Sequence, residues 1–140
     1  MKVSVIYASA TGNTEAMANA ICDSLKEKGA DVLCATADGA DKAAALAGDV
    51  LLLGSPAMGD EVLEDSVEEF FTGIEGSISG KKIGIFGSYD WGDGKWLRDW
   101  ADRIKSQGGV LVGEPLMVHL TPEGDDVQKC KSWAAAAIAG

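Results

Sequence analysis

Apolar positions along the chain follow two rhythms in turn. A short apolar, β-branched run at 3–7 is followed by 14–28, where Met17, Ala18, Ile21 and Leu25 recur at helical spacing. This predicts a strand and then a helix, ended by Gly29. A second strand is expected at 31–36 around Val32 and Leu33, and the alanine-rich stretch 41–47 reads as a short helix. Residues 50–55 are apolar at nearly every position, the pattern of a strand covered on both faces. Ser66 followed by Glu69 reads as a capping box for a helix that buries Val67, Phe70 and Phe71, and 82–87 supplies a fourth strand. Trp96, Trp100 and Ile104 form the stripe of the next helix, which ends near Gly108 and Gly109. A fifth strand is expected from 110 to 118. Thr121 and Pro122, with Asp125 and Asp126 behind them, signal the start of a last helix over 127–138.

Strands alternating with helices of this length imply right-handed crossovers and a parallel sheet coated on both faces, an α/β three-layer sandwich. At 140 residues, with no repeat or linker, the chain reads as one domain. In an open sheet of this kind ligands sit beyond the carboxyl ends of the strands, where the strand order reverses. The chemistry is therefore expected in the loops 9–14, 55–65 and 88–95.

Charge narrows the choice of partner. A formal net charge of -10 opposes binding to nucleic acid or to an anionic membrane. The apolar runs at 50–53 and 110–112 are far shorter than the roughly 20 residues of a membrane span, and the opening residues carry no signal-peptide cleavage pattern, so a cytoplasmic protein is expected. The 3 cysteines, Cys22, Cys34 and Cys130, form no CxxC motif, which argues against a disulfide framework or a zinc site. Cys22 and Cys34 are expected in the core. His119 is the single histidine and reads as structural or as a surface residue. Ser9 and Ser88 have no base nearby in sequence, so no catalytic residue is expected.

The first loop, Ser9, Ala10, Thr11, Gly12, Asn13 and Thr14, offers three hydroxyls, a flexible glycine and the amides of a helix start. Such a set suits a phosphate held by neutral donors, because no Lys or Arg occurs between Lys2 and Lys26. An ordinary polar turn with a Ser/Thr cap is the plainer alternative. Gly12 is followed by Asn13 where a Walker A loop needs lysine, and a dinucleotide fingerprint needs three spaced glycines, so a single terminal phosphate fits better. The second loop, Ser55, Pro56, Ala57, Met58, Gly59, Asp60 and Glu61, sets a soft thioether before a glycine and two carboxylates. Met58 could cover a flat ring, although a Met after a strand is commonly core. The third loop holds Ser88, Tyr89, Asp90, Trp91 and Gly92, then Asp93, Gly94, Lys95 and Trp96. So many glycines and aromatics together make a poor plain loop and a good seat for a stacked planar ligand. Trp96 belongs to the helix stripe and is expected in the core.

Taken together, these loops resemble the flavodoxin family, short-chain class. The first resembles its Ser/Thr-x-Thr-Gly-x-Thr phosphate signature, the second its flavin-facing turn, and the third its Tyr-x-Trp-Gly pattern. The resemblance covers essentially the whole chain and implies a flavodoxin-like sheet of five parallel strands in the order 2-1-3-4-5, with FMN at the junction of strands one and three. It further implies that Trp91 stacks on the outer ring face, that the Gly59 carbonyl turns toward flavin N5, and that Glu61 accepts from flavin N3–H. Backbone N–H groups of 89–92 would meet flavin O2 and N1. Asp90 departs from the family pattern, which usually has glycine there; aspartate tolerates left-handed backbone comparatively well, so the loop shape survives.

The implied function is a low-potential one-electron carrier with non-covalent FMN, passing between oxidised, semiquinone and hydroquinone states in place of, or beside, ferredoxin. The protein selects among these states by geometry and field. One carboxylate about 10 Å from the ring costs an added electron roughly 1.7 kcal/mol at an effective dielectric of 20. Asp60, Glu61, Glu64, Asp65, Glu68, Glu69 and Glu75 crowd a span with no basic residue between Lys42 and Lys81. Either this is a solvated helix face, or it docks basic patches on redox-enzyme partners such as ferredoxin- or flavodoxin-dependent oxidoreductases. A monomer is expected. An FMN-dependent NAD(P)H oxidoreductase is the competing enzyme reading, but no arginine cluster offers a 2'-phosphate contact. A receiver domain fails, because Ala8, Ser9 and Ala10 supply no carboxylate cluster after strand one.

Overall fold

The computed structural model describes residues 1–8, 12–58, 62–89, 92, 94–119 and 123–139. Its strands are β1 (Lys2–Tyr7), β2 (Asp31–Thr36), β3 (Val50–Gly54), β4 (Lys82–Tyr89), β5 (Val110–Leu111) and β6 (Leu116–His119). Its α-helices are α1 (Asn13–Glu27), α2 (Lys42–Leu46), α3 (Asp65–Ile74), α4 (Lys95–Ser106) and α5 (Gly124–Ala139). Every strand pairing is parallel, in the order β2-β1-β3-β4-β5, and β6 joins β4 as well. This is the α/β order that the family resemblance implies.

Alternate residues of each central strand serve opposite faces, as the period of two requires. Val3, Val5, Tyr7, Val50, Leu52 and Phe86 pack against Met17, Ile21 and Leu25 of α1 and Cys130 and Ala134 of α5. Ile6, Leu51, Leu53, Ile83 and Ile85 pack on the other side against Phe70 and Phe71 of α3 and Trp96, Trp100 and Ile104 of α4. The tryptophan stripe is therefore core, with Trp96 and Trp100 each 1% exposed.

Three expectations need correction. The fifth strand is broken: β5 pairs with Lys82 and Ile83, and β6 with 86–89, both along the same edge of β4. Between them Gly113 takes φ 76, and Pro115 has no N–H to give the ladder. The helix start at Ser66 is also displaced. Glu64 is the N-cap of α3, and its carboxylate accepts from the Ser66 and Val67 amides at 3.0 and 3.4 Å and from the Ser66 hydroxyl. Cys34 is exposed, while Cys22 is buried. β2 is the edge strand, and its burial is correspondingly incomplete. The start signal at Thr121 and Pro122 lies outside the described residues, and α5 runs from Gly124, three residues earlier than its apolar pattern indicates.

A charge network ties α3 to α4. Arg103 donates from Nη1 and Nη2 to the two carboxylate oxygens of Glu68 at 2.7 and 2.8 Å, and from Nε and Nη2 to Glu75 at 3.1 and 3.2 Å. Its guanidinium also lies 4.8 Å from the Phe71 ring centroid. The Arg103 hydrogen bonds hold the Glu68 carboxyl below its ordinary value. Such a group stabilises the fold fully above the ordinary carboxylate value and loses that contribution as pH falls below it. Because the pair is partly solvent-screened, Arg103→Ala is expected to cost about 1–2 kcal/mol in urea unfolding at pH 7. The deficit should shrink in acid, as pH falls through the lowered titration of Glu68; a deficit that stays equal on acidification would assign it to packing on Phe71 alone.

Candidate functional site

Parallel pairing brings the carboxyl ends of β1, β3 and β4 side by side, with Tyr7 opposite Gly54 and Gly54 opposite Phe86. β2 lies on one side of β1 and β3 on the other, so the chain leaves β1 in one direction and later returns on its opposite flank. A crevice forms above such a reversal. The three loops singled out from the sequence all begin there.

Hydrogen bonds join these loops to one another. Thr14 Oγ1 lies 3.0 Å from Ser88 Oγ and accepts from the Ser88 amide at 3.4 Å. The Ala8 amide donates to Gly54 O, the Ser55 amide to Phe86 O and the Ala57 amide to Ser88 O, each at 3.1 Å. Ser55 Oγ donates to Pro56 O at 2.9 Å and accepts the Glu64 amide at 3.0 Å, while Trp96 Nε1 donates to Ser55 O at 3.0 Å. Thr14 and Ser55 are 0% exposed and Ser88 4%. Buried hydroxyls are costly unless satisfied, so the mutual bonding explains how this polar layer is tolerated beneath the loops.

Two glycines show why the chain needs them here. Gly12, the N-cap of α1, takes φ 89, and nothing lies within 4 Å of where a Cβ would project. The chain thus turns into the helix beside open space, and the cap residue, being glycine, brings no side chain of its own to the first turn. At Gly87 the reason is proximity: a Cβ would lie 2.0 Å from the Ser55 carbonyl oxygen and 3.1 Å from Trp96. Only glycine lets β4 approach the second loop so closely.

The second loop folds back on itself. Met58 and Val62 exchange two backbone hydrogen bonds, at 3.0 and 2.9 Å, and so bring the flanks of 59–61 side by side. Met58 is half-buried, like Ala57, and Val62 is 54% exposed. In the third loop Tyr89 is half-buried, its ring 5.8 Å from that of Trp96 and 5.0 Å from that of His119, and Gly92 takes φ 92.

The structure therefore brings together Gly12, Asn13, Thr14, Ser55, Pro56, Ala57, Met58, Ser88, Tyr89 and Gly92 at the ends of three neighbouring strands. Ser9, Ala10, Thr11, Gly59, Asp60, Glu61, Asp90 and Trp91 lie outside the described residues. Two contributors were not foreseen. Trp96 is core, yet its indole N–H also holds the second loop, and His119 of β6 stands beside Tyr89. His119 could have been found from its place at the carboxyl end of the fifth strand; the Trp96 bond leaves no sequence signal. Among the described residues no His, Cys, Asp and Glu group could hold a metal ion. A cavity of about 190 Å³ lies elsewhere, between Ala37–Gly39 and α3, where Asp38, Lys42 and Glu69 make it too charged for an apolar ring.

The residues present fit FMN. Uncharged donors and a helix start suit its phosphate, and at Gly12 nothing lies within 4 Å of where a Cβ would project. Comparisons with known proteins agree. The family model described as flavodoxin matches residues 5–133. The chain is 43% identical over 136 residues to the flavodoxin of Megasphaera elsdenii, covering 96% of this chain and 97% of that protein. It is 47% identical over 120 residues to the flavodoxin of Clostridium beijerinckii, covering 85% and 87%. The solution structure of two-electron reduced Megasphaera elsdenii flavodoxin superposes with a TM-score of 0.89, covering 99% of each chain. With the strand order, the joined loops and these similarities in agreement, the chain belongs to the flavodoxin family, short-chain class, the electron carriers that bind FMN.

Proposed function

We propose that this chain is a low-potential carrier of single electrons, seated on FMN in the crevice above β1, β3 and β4, and that it stands in for ferredoxin or works beside it. The observation that carries this reading is the bonding of the three loops through Thr14, Ser55 and Ser88, which preorganises one site from three separate segments. FMN supplies the redox chemistry when bound. Everything else is work for the polypeptide.

Residues 9–14 hold the phosphate through hydroxyls and the first-turn amides of α1. Thr14 contributes from below, its hydroxyl being engaged with Ser88. Met58 and Trp91 would enclose the ring, Glu61 would accept from N3–H, and backbone amides of 89–92 would meet O2 and N1. The Gly59 carbonyl would accept a hydrogen bond from flavin N5–H, and the backbone hydrogen bonds between Met58 and Val62 hold the residues on either side of 59–61. Asp60, Glu61 and neighbouring carboxylates would disfavour the negative charge that the second electron brings to the ring.

The same acids serve docking, over a smaller area than their number indicates. Among the described acids of the run, Arg103 occupies Glu68 and Glu75 and Glu64 caps α3, which leaves Asp65 and Glu69 for a partner. Asp65 and Glu69 are exposed on α3. The partners are redox enzymes with basic patches, met as a monomer in the cytoplasm; among the described residues no helix is long and apolar enough to cross a membrane.

Stripped protein titrated with FMN and with riboflavin tests the phosphate seat. If several donors reach the phosphate, riboflavin should bind on the order of 100-fold more weakly, the worth of about two charge-assisted hydrogen bonds; equal affinity would remove the first loop from the site. Gly87→Ala should destabilise the fold by about 1–3 kcal/mol, because the new methyl meets backbone rather than a yielding side chain, and should weaken FMN binding with it. Gly59→Ala should lower the potential of the first electron by hindering the turn; an unchanged potential would deny the carbonyl its role. Asp65→Asn with Glu69→Gln should slow electron transfer to a basic partner at low salt and flatten its salt dependence. Turnover-rate reduction of the holoprotein by NAD(P)H alone would favour the enzyme reading instead.

A further inference from the structure

Cys22 and Cys34 are separated by 12 residues in sequence, yet their sulfur atoms lie 2.8 Å apart. Cys22 projects from α1 into the core at 3% exposure, whereas Cys34 stands exposed on β2, an edge strand that pairs only with β1. One sulfur is thus accessible to a small solute and the other is held directly behind it. The third thiol, Cys130, is buried on α5, where burial pushes it up to about 11.

We propose that Cys22 and Cys34 are a peroxide-responsive pair that closes to an intramolecular disulfide between α1 and β2.

The division of labour follows from the environments of the two groups. The thiolate is the nucleophile in such chemistry. The hydrogen bond from Cys22 lowers Cys34 to about 7 against the opposing effect of burial, and Lys26 assists. The same bond and burial push Cys22 upward. Cys34 is therefore the attacking sulfur and Cys22 the resolving one. The Cys34 thiolate attacks one oxygen of a hydroperoxide, the O–O bond breaks, and the second oxygen leaves as hydroxide or alkoxide with the electron pair. Cys34 is now a sulfenic acid, oxidised by two electrons. The Cys22 sulfur attacks the Cys34 sulfur, the S–O bond breaks, and the Cys22 proton departs with that oxygen as water. The sulfurs need close only about 0.8 Å to reach the roughly 2.05 Å of a disulfide bond. Two-electron reduction by a dithiol restores both thiols. None of this requires the flavin, so the pair and the carrier function stand or fall separately.

The test is to treat oxidised holoprotein with hydrogen peroxide, alkylate the remaining thiols and map the peptides by mass spectrometry. Wild-type protein should yield a peptide pair joined through Cys22 and Cys34, lighter by two hydrogens and separated by dithiothreitol, with Cys130 still alkylated. Cys22→Ser should stop the crosslink and leave Cys34 to gain two or three oxygens irreversibly, and Cys34→Ser should leave Cys22 unmodified. Accumulation of sulfinic acid on wild-type Cys34 without the crosslink would overturn the proposal, as would survival of both thiols at peroxide levels that oxidise a free thiol peptide. The wild-type result decides the matter even if either variant fails to fold.

Discussion

A buried contact between two hydroxyls, Thr14 Oγ1 and Ser88 Oγ at 3.0 Å, is the constraint on which the site depends. It joins the first turn of α1 to the end of β4, 74 positions further along the chain. Two neutral hydroxyls can share one bond in the dry layer under the loops, and each then leaves little polar surface unpaired. The Ala57 amide on Ser88 O and the Trp96 indole on Ser55 O extend the same layer to the second loop. A flavin needs a slot that is narrow, apolar and already shaped. Bonds of this kind supply the shape without placing a formal charge beside the ring.

That choice has an electrostatic consequence. A lysine in the first loop would bind phosphate more strongly, and it would also favour electrons on the nearby ring. In the proposed site, uncharged donors and a helix start would bind the anion while leaving the field at the ring to the carboxylates of the second loop and α3. Those carboxylates are not all free to act. Arg103 neutralises Glu68 and Glu75, stitching α3 to α4, and leaves Asp65 and Glu69 as the exposed acids of α3.

Much of the fold was legible because a sheet coated on both faces writes itself into the chain as apolar runs between helical stripes. Val50–Gly54 is buried at every position, and the Trp96, Trp100 and Ile104 stripe points inward as its spacing indicates. What escaped was decided by partners distant in sequence or by competition between neighbours. Glu64 displaced Ser66 as the cap because its longer side chain reaches back over two amides of the first turn. Val110 to Val118 read as one strand, but Gly113 and Pro115 break the ladder at its centre. Cys34 looked like core because its residue type is commonly buried, yet among the described residues no strand pairs with the outer side of β2. The loops of the site were legible as a list of residues; their mutual bonding was not, since nothing in the order of residues says that Thr14 meets Ser88.

Amide hydrogen exchange with and without FMN reads the joined loops most directly. Binding should protect amides in 9–14, 55–62 and 88–92 together, while the segment from Ala37 to Leu46 and the strand starts near Lys2 and Lys82 exchange as before. Protection of one loop without the others, or protection centred on the cavity between Ala37–Gly39 and α3, would contradict a single site assembled around Thr14 and Ser88.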